Sequence, residues 1–154
     1  MIDGQDHINV YSKGHTALGR LLSNFARTPF TLHGLRFESV EAWWYWRQLP
    51  EDDAELRKMW GYNAKRMGRL AVAKADAGSR PSKEDLKEVY RLKVEANTQL
   101  KQMLMASTLP FDHYYDYGRG PVQTEWRWTG QLWNEVREEL KHDHGVGVPS
   151  KEQR

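Results

Sequence analysis

Residues 30–46 read FTLHGLRFESVEAWWYW, and the hydrophobic period changes halfway through. Phe30, Leu32, Leu35 and Phe37 alternate with polar neighbours on either side of His33-Gly34. Alternation marks strands with one buried face, and a glycine-bearing pair between them marks a tight turn, so this half predicts a short antiparallel hairpin. Ser39 then stands where a helix N-cap is wanted. The residues that follow predict a helix to about Gln48, which Pro50 closes because the residue before proline avoids the helical region. Glu41 falls in the first turn of that helix.

Upstream, Ile8 and Val10 alternate with Asn9 and lead to Tyr11, which predicts a short strand. Downstream, Glu51-Asp52-Asp53 opens a helix to about Trp60, a third helix runs from Ala64 to about Lys74, and 77–81 is a loop. Ser82 with Asp85 resembles a capping box for the longest helix, whose Leu86, Val89, Tyr90, Val94, Leu100, Met103 and Leu104 carry a helical period to about Ser107. After an aromatic, glycine-punctuated loop over 110–121, Thr129 is placed to cap a last amphipathic helix with Leu132, Trp133, Val136 and Leu140 on one side. The fold class expected is α+β: a mainly helical single domain over 1–142 with a small antiparallel sheet, followed by a flexible C-terminal tail, 143–154.

Composition narrows the function classes. The 154 residues include seven Trp, seven Tyr and four Phe, so one dense core is within reach although only 39% of the chain is hydrophobic. The absence of Cys removes disulfides, thiolate metal ligands and a cysteine nucleophile. Met1 to Asp6 carries acids rather than a basic segment before an apolar run, and nothing approaches the roughly 20 apolar residues that span a bilayer. The expectation is a cytoplasmic protein with no membrane partner. A net charge of +2 is too small for bulk charge to drive nucleic-acid binding, so local clusters must carry any such contact.

No dinucleotide fingerprint, Walker loop, HExxH helix or G-x-S-x-G elbow occurs. His142 and His144 flank Asp143 in a polar stretch that reads as solvated, and neither a metal nor another cofactor is assigned. His7, His15, His33 and His113 have no orienting partner visible in the sequence and read as surface or loop residues, with His113 set among aromatics.

What remains is a series of short segments in order: Leu22-Ser23-Asn24-Phe25, Pro29-Phe30, Gly34, Phe37-Glu38-Ser39-Val40-Glu41, Ala64-Lys65-Arg66-Met67-Gly68-Arg69, and Gly130 to Leu140 with Val136-Arg137 inside it. From about Gly19 to Leu140 this order resembles the NADAR (YbiA-like) superfamily. The resemblance implies a metal-independent N-glycosidase that hydrolyses the bond between a base and a phosphate-bearing ribose. Family substrates are ADP-ribosylated guanine or early riboflavin intermediates. The family's Trp-Gly-x-Gly stands here as Tyr117-Gly118-Arg119-Gly120, a following Asn is replaced within Trp126-Arg127-Trp128, and Trp43-Trp44-Tyr45-Trp46-Arg47 lacks a common Lys. These departures leave the choice of substrate open.

Cleavage of a ribose N-glycosidic bond passes through an oxocarbenium-like state, which calls for a fixed carboxylate near the anomeric carbon. Under the resemblance, Glu41 supplies it, either by stabilising the cation or by activating water; otherwise Glu41 simply complements a helix dipole. Lys65, Arg66 and Arg69, with Arg20, can grip a diphosphate or can form a solvated basic face. Asn24, between Ser23 and Phe25, can hold ribose hydroxyls or the water, or can bond to nearby backbone. Trp43 to Trp46 cover every face of a helix, so one of them, such as Trp44, is free to stack on a base. Tyr114, Tyr115, Tyr117 and Arg119 can line the leaving-base side or pack on the surface, and Asp112 or Asp116 can be the acid that protonates the base.

Three functions follow: removal of ADP-ribose from guanine, with DNA as partner; cleavage of a small phosphorylated ribosylamino-pyrimidine; or a catalytically silent ADP-ribose or nucleic-acid binding module.

Overall fold

In the computed structural model, which describes residues 1–143, the chain runs β1 (Ile8–Asn9), α1 (Ala17–Leu22), β2 (Phe30–Leu32), β3 (Leu35–Phe37), α2 (Val40–Trp46), α3 (Ala54–Arg57), α4 (Gly61–Lys74), α5 (Lys83–Glu95), α6 (Thr98–Ala106), β4 (Phe111–Asp112), β5 (Tyr115–Asp116), β6 (Pro121–Val122) and α7 (Arg127–Asp143). The expected α+β class with a dominant helical part is what forms. None of the described helices is long and apolar enough to cross a membrane.

The hairpin is built as its residues dictate. Phe30 pairs with Phe37, Thr31 with Arg36 and Leu32 with Leu35, and the turn puts His33 at φ 51° and Gly34 at φ 79°. Two successive left-handed residues are the type I′ turn that matches the twist of a two-residue hairpin. Phe30 and Phe37 stack on the buried face, with ring centroids 5.4 Å apart. One residue after the hairpin, the Ser39 hydroxyl accepts from the Ala42 amide (3.1 Å) and donates to the Met59 carbonyl (2.8 Å), so α2 starts in a fixed place.

The core gathers around α5, whose Leu86, Val89, Tyr90 and Val94 are buried together with Leu132, Trp133, Val136 and Leu140 of α7, Leu100 and Leu104 of α6, and Phe30, Phe37, Val40 and Trp43 from the hairpin and α2. Tyr90 lies flat on Trp133, centroids 4.2 Å apart and planes 8° from parallel. The aromatic run divides as its helical spacing requires: Trp43 is buried, while Trp44, Tyr45 and Trp46 are half-buried.

Several boundaries differ from expectation. The single helix over 82–107 is two helices, because Asn97 leaves the helical region and spends its side-chain amide on the carbonyls of Pro29 (3.2 Å) and Lys93 (2.6 Å). The helix after Asp53 is one turn long, and α4 begins at Gly61, whose amide donates to the Phe25 carbonyl (2.9 Å). The loop over 110–121 contains strands: β4 pairs in parallel with β1, and β5 pairs antiparallel with β6. The small sheet is therefore three separate two-stranded pieces. Thr129 is not the cap of α7, which begins two residues earlier; its buried hydroxyl donates back to the Trp126 carbonyl (2.7 Å). Helix α7 continues through His142 and Asp143, while His144 and the rest of the expected tail lie outside the described residues.

Candidate active site

The site assembles where the Ser23-Asn24-Phe25 segment crosses the N-terminus of α2. The Glu41 amide donates to the Asn24 carbonyl (2.9 Å), and the Asn24 side-chain carbonyl accepts from the Tyr90 hydroxyl (2.8 Å). With its side-chain carbonyl on Tyr90, the Asn24 amino group is left as a donor. On either side of Asn24 the segment is pinned again. The Ser23 carbonyl accepts from Lys93 Nζ (2.8 Å), its hydroxyl accepts from the Phe25 amide (3.2 Å), and the Phe25 carbonyl holds α4 through Gly61 (2.9 Å).

Glu41 retains partial contact with solvent, yet its carboxyl is surrounded by protein, and that burial pushes its pKa from 4.5 up to about 7. Lys65 and Arg69 act against the shift, and neither comes close enough to Glu41 to form an ion pair. Their spacing of four places both on one face of α4, and α4 can approach α2 because Gly68 presents no side chain to Tyr45. Among the described residues neither cation has a carboxylate partner, whereas Lys83, Lys87 and Arg91 of α5 are tied to Glu135, Glu139 and Asp143 of α7.

Tyr45, Tyr90 and Tyr115 all feel the Glu41 charge, and in each of them burial raises the phenol pKa further. Beside Tyr45 stand Arg69 and Arg80, and the Arg80 guanidinium lies over the Trp126 ring at 4.9 Å. Trp126 in turn meets the edge of Trp44, with centroids 5.6 Å apart. The face beside Glu41 thus joins two clusters that are distant in sequence, the aromatic run of α2 and the stretch before α7.

Other expected site residues are not drawn in. Arg66 turns aside to Asn63 (3.1 Å), and Arg20 donates to the Gly14 carbonyl (2.8 Å). Asp116 accepts from the Gly118 amide (2.8 Å) in a turn of its own, and Asp112 is bound by Arg127 (2.9 Å). Tyr117 and Arg119 are exposed beyond β5.

Two histidines gain partners the sequence did not show. His7 is buried, with Nδ1 2.6 Å from Asp6 and Nε2 2.6 Å from the Tyr114 hydroxyl. His113 donates from Nδ1 to the Val10 carbonyl (2.7 Å), meets Tyr115 edge-on, and has its pKa lowered by burial.

Sequence reasoning passed over Arg80 and Lys93. Lys93 had a signal: it lies three residues after Tyr90, four after Val89 and seven after Leu86, on the buried stripe of α5. It is fully buried, and burial pulls its pKa from 10.5 down to about 7. Arg80 sits in a loop, where no period marks it. Compared with family models, curated proteins and solved structures, the chain matches none.

Proposed function

We propose that the protein is a hydrolase of N-glycosidic bonds to a phosphate-bearing ribose, with ADP-ribose on guanine as the substrate that fits best. The carrying observation is Glu41 itself: a carboxyl enclosed by protein, with two cations nearby that have no carboxylate partner among the described residues. Opposite charges that converge without touching leave room for a ligand carrying both features, a sugar that becomes cationic and a phosphate that is anionic.

In the reaction, the C1′–N bond breaks with its electron pair leaving on the base, and the cation forms at C1′ beside the Glu41 carboxylate. At about 4 Å and an effective dielectric near 20, such a pair is worth roughly 4 kcal/mol, close to three powers of ten in rate if realised only in the transition state. Water then adds to C1′ and passes its proton to Glu41, whose pKa near neutrality suits a base, while the departing nitrogen takes a proton from solvent, so that the ribose and a neutral base are released. Asn24 is placed to orient the water or a ribose hydroxyl, and Lys65 with Arg69 holds phosphate. The Trp44 and Trp126 rings with Arg80 offer the guanine a polarisable shelf.

The test is incubation with an oligonucleotide carrying ADP-ribosylated guanine and, separately, with a phosphorylated ribosylamino-pyrimidine, each with wild type and Glu41→Gln. Release of ADP-ribose by wild type alone supports the reading. Turnover of the small riboside alone moves the substrate to the second class, and tight ADP-ribose binding without any turnover makes the protein a binding module.

A further inference from the structure

The buried amine of Lys93 makes no contact the proposed chemistry uses. It has three donors, yet its partners among the described residues are one carbonyl, Ser23 O at 2.8 Å, and the face of Trp133, whose centroid lies 5.9 Å away. Among the described residues no carboxylate accompanies it. An amine enclosed without a counter-charge opposes folding, and an apolar side chain of similar length would suit the same volume better.

What the amine does hold is the residue before Asn24. One helical turn earlier on the same face of α5, the Tyr90 hydroxyl holds Asn24 itself (2.8 Å), while the flat stack on Trp133 fixes the Tyr90 ring. Asn24 passes the constraint on, since its carbonyl receives the Glu41 amide and the next carbonyl receives the Gly61 amide. One buried stripe of α5 thereby fixes a loop, and that loop fixes the starts of both helices that carry Glu41, Lys65 and Arg69.

We propose that Lys93 is a positioning residue which, with Tyr90, clamps the Ser23-Asn24 segment over the N-terminus of α2 so that Asn24 stays beside Glu41. Its consequence for turnover rests on the N-glycosidase reading; the clamp itself does not.

Two measurements on the full chain separate these. The first is amide hydrogen exchange at Glu41 and Gly61 in Lys93→Met and in Tyr90→Phe, which keeps the stacked ring. Both variants should speed exchange at these two amides by about tenfold without speeding that of the α7 amides, and Lys93→Met should unfold at a higher temperature than wild type. Unchanged exchange at Glu41 and Gly61 overturns the proposal, as does a uniform acceleration of all amides with a lowered melting temperature.

The second measurement is turnover of the ADP-ribosylated guanine oligonucleotide. Lys93→Met should lose about tenfold or more in kcat with KM changed less than about threefold, because the clamp touches no substrate. A loss confined to KM refutes the positioning role. If Glu41→Gln is as active as wild type, the enzymatic reading fails while the exchange result still decides the clamp.

Discussion

Replacing Glu41 with Gln should stabilise the fold while abolishing turnover, and the stabilisation should depend on pH in one direction only. In the folded chain the carboxyl titrates near 7 rather than at 4.5, so between these values the folded state holds a proton that the unfolded state has lost. Stability contributed by the neutral acid is present in full below about 4.5 and is lost as pH rises through about 7. At about 1.4 kcal/mol for each tenfold change in the ionisation equilibrium, the rise corresponds to about 3 kcal/mol, trimmed to about 2–3 kcal/mol by the partial solvent contact. Gln keeps the shape and cannot ionise. Urea unfolding at pH 4, 5, 6, 7 and 8 should therefore show wild type and Glu41→Gln nearly equal at pH 4 and separated by about 1–2 M in midpoint at pH 8, for an m-value of about 1–3 kcal/mol/M. A difference that stays flat with pH, or a Gln variant less stable at pH 8, would refute the assignment of a desolvated carboxylate to this position.

Three further outcomes follow from the same geometry. Lys65 is one of two cations that hold the Glu41 pKa down, so the rising limb of kcat/KM, centred near 7 in wild type, should move to higher pH in Lys65→Met; a pH–rate series reads it, and an acid shift contradicts the placement. Gly68→Ala would gain up to ~1 kcal/mol in an exposed helix, but here a Cβ would lie 2.4 Å from the Tyr45 ring and 2.7 Å from its Cβ. Thermal unfolding should show a net loss of about 1–3 kcal/mol, and a stabilised variant would mean that α2 and α4 are not so closely apposed. Burial of Lys93 lowers its pKa, so stability is present in full above about 10.5 and falls away as pH drops through about 7, a change of roughly 5 kcal/mol that Lys93→Met should remove from the pH–stability curve.

Much of this fold is legible because its signals are local. The His33-Gly34 turn, the Ser39 cap and the Ser82 cap each depend on residues within a few positions, and each forms where the sequence puts it. The break at Asn97 is not legible, since the carbonyl that takes its amide belongs to Pro29, on the far side of the hairpin. Nor is the pairing of Ile8 with Phe111, between strands too short to display alternation. The site shows the same division. Spacing on α4 unites Lys65 with Arg69, but only the position of α2 brings that face to Glu41 and leaves Arg66 on another. Nor does the sequence reveal that one Asp116 oxygen accepts from the Gly118 amide.

Buried polarity alone does not mark a functional group, and two glutamates three residues apart show what does. Glu38 is buried and accepts from Arg36 (2.6 Å) and Arg27 (3.0 Å), and these partners hold its carboxyl below the usual range. It is a satisfied ion cluster anchoring the end of the hairpin, and His7 is likewise satisfied, by hydrogen bonds to Asp6 and Tyr114. Glu41 has the opposite balance: burial dominates, cations face it without pairing, and its ionised form is expensive to maintain. Structural requirements would select a neutral side chain there, and at Lys93 too. Both residues meet the Ser23-Asn24 segment, Lys93 through its amine and Glu41 through its backbone amide, and both titratable groups are displaced towards neutrality by burial. Glu41 and Lys93, rather than Glu38 and His7, are therefore the buried polar groups at which Glu41→Gln and Lys93→Met test the proposed function.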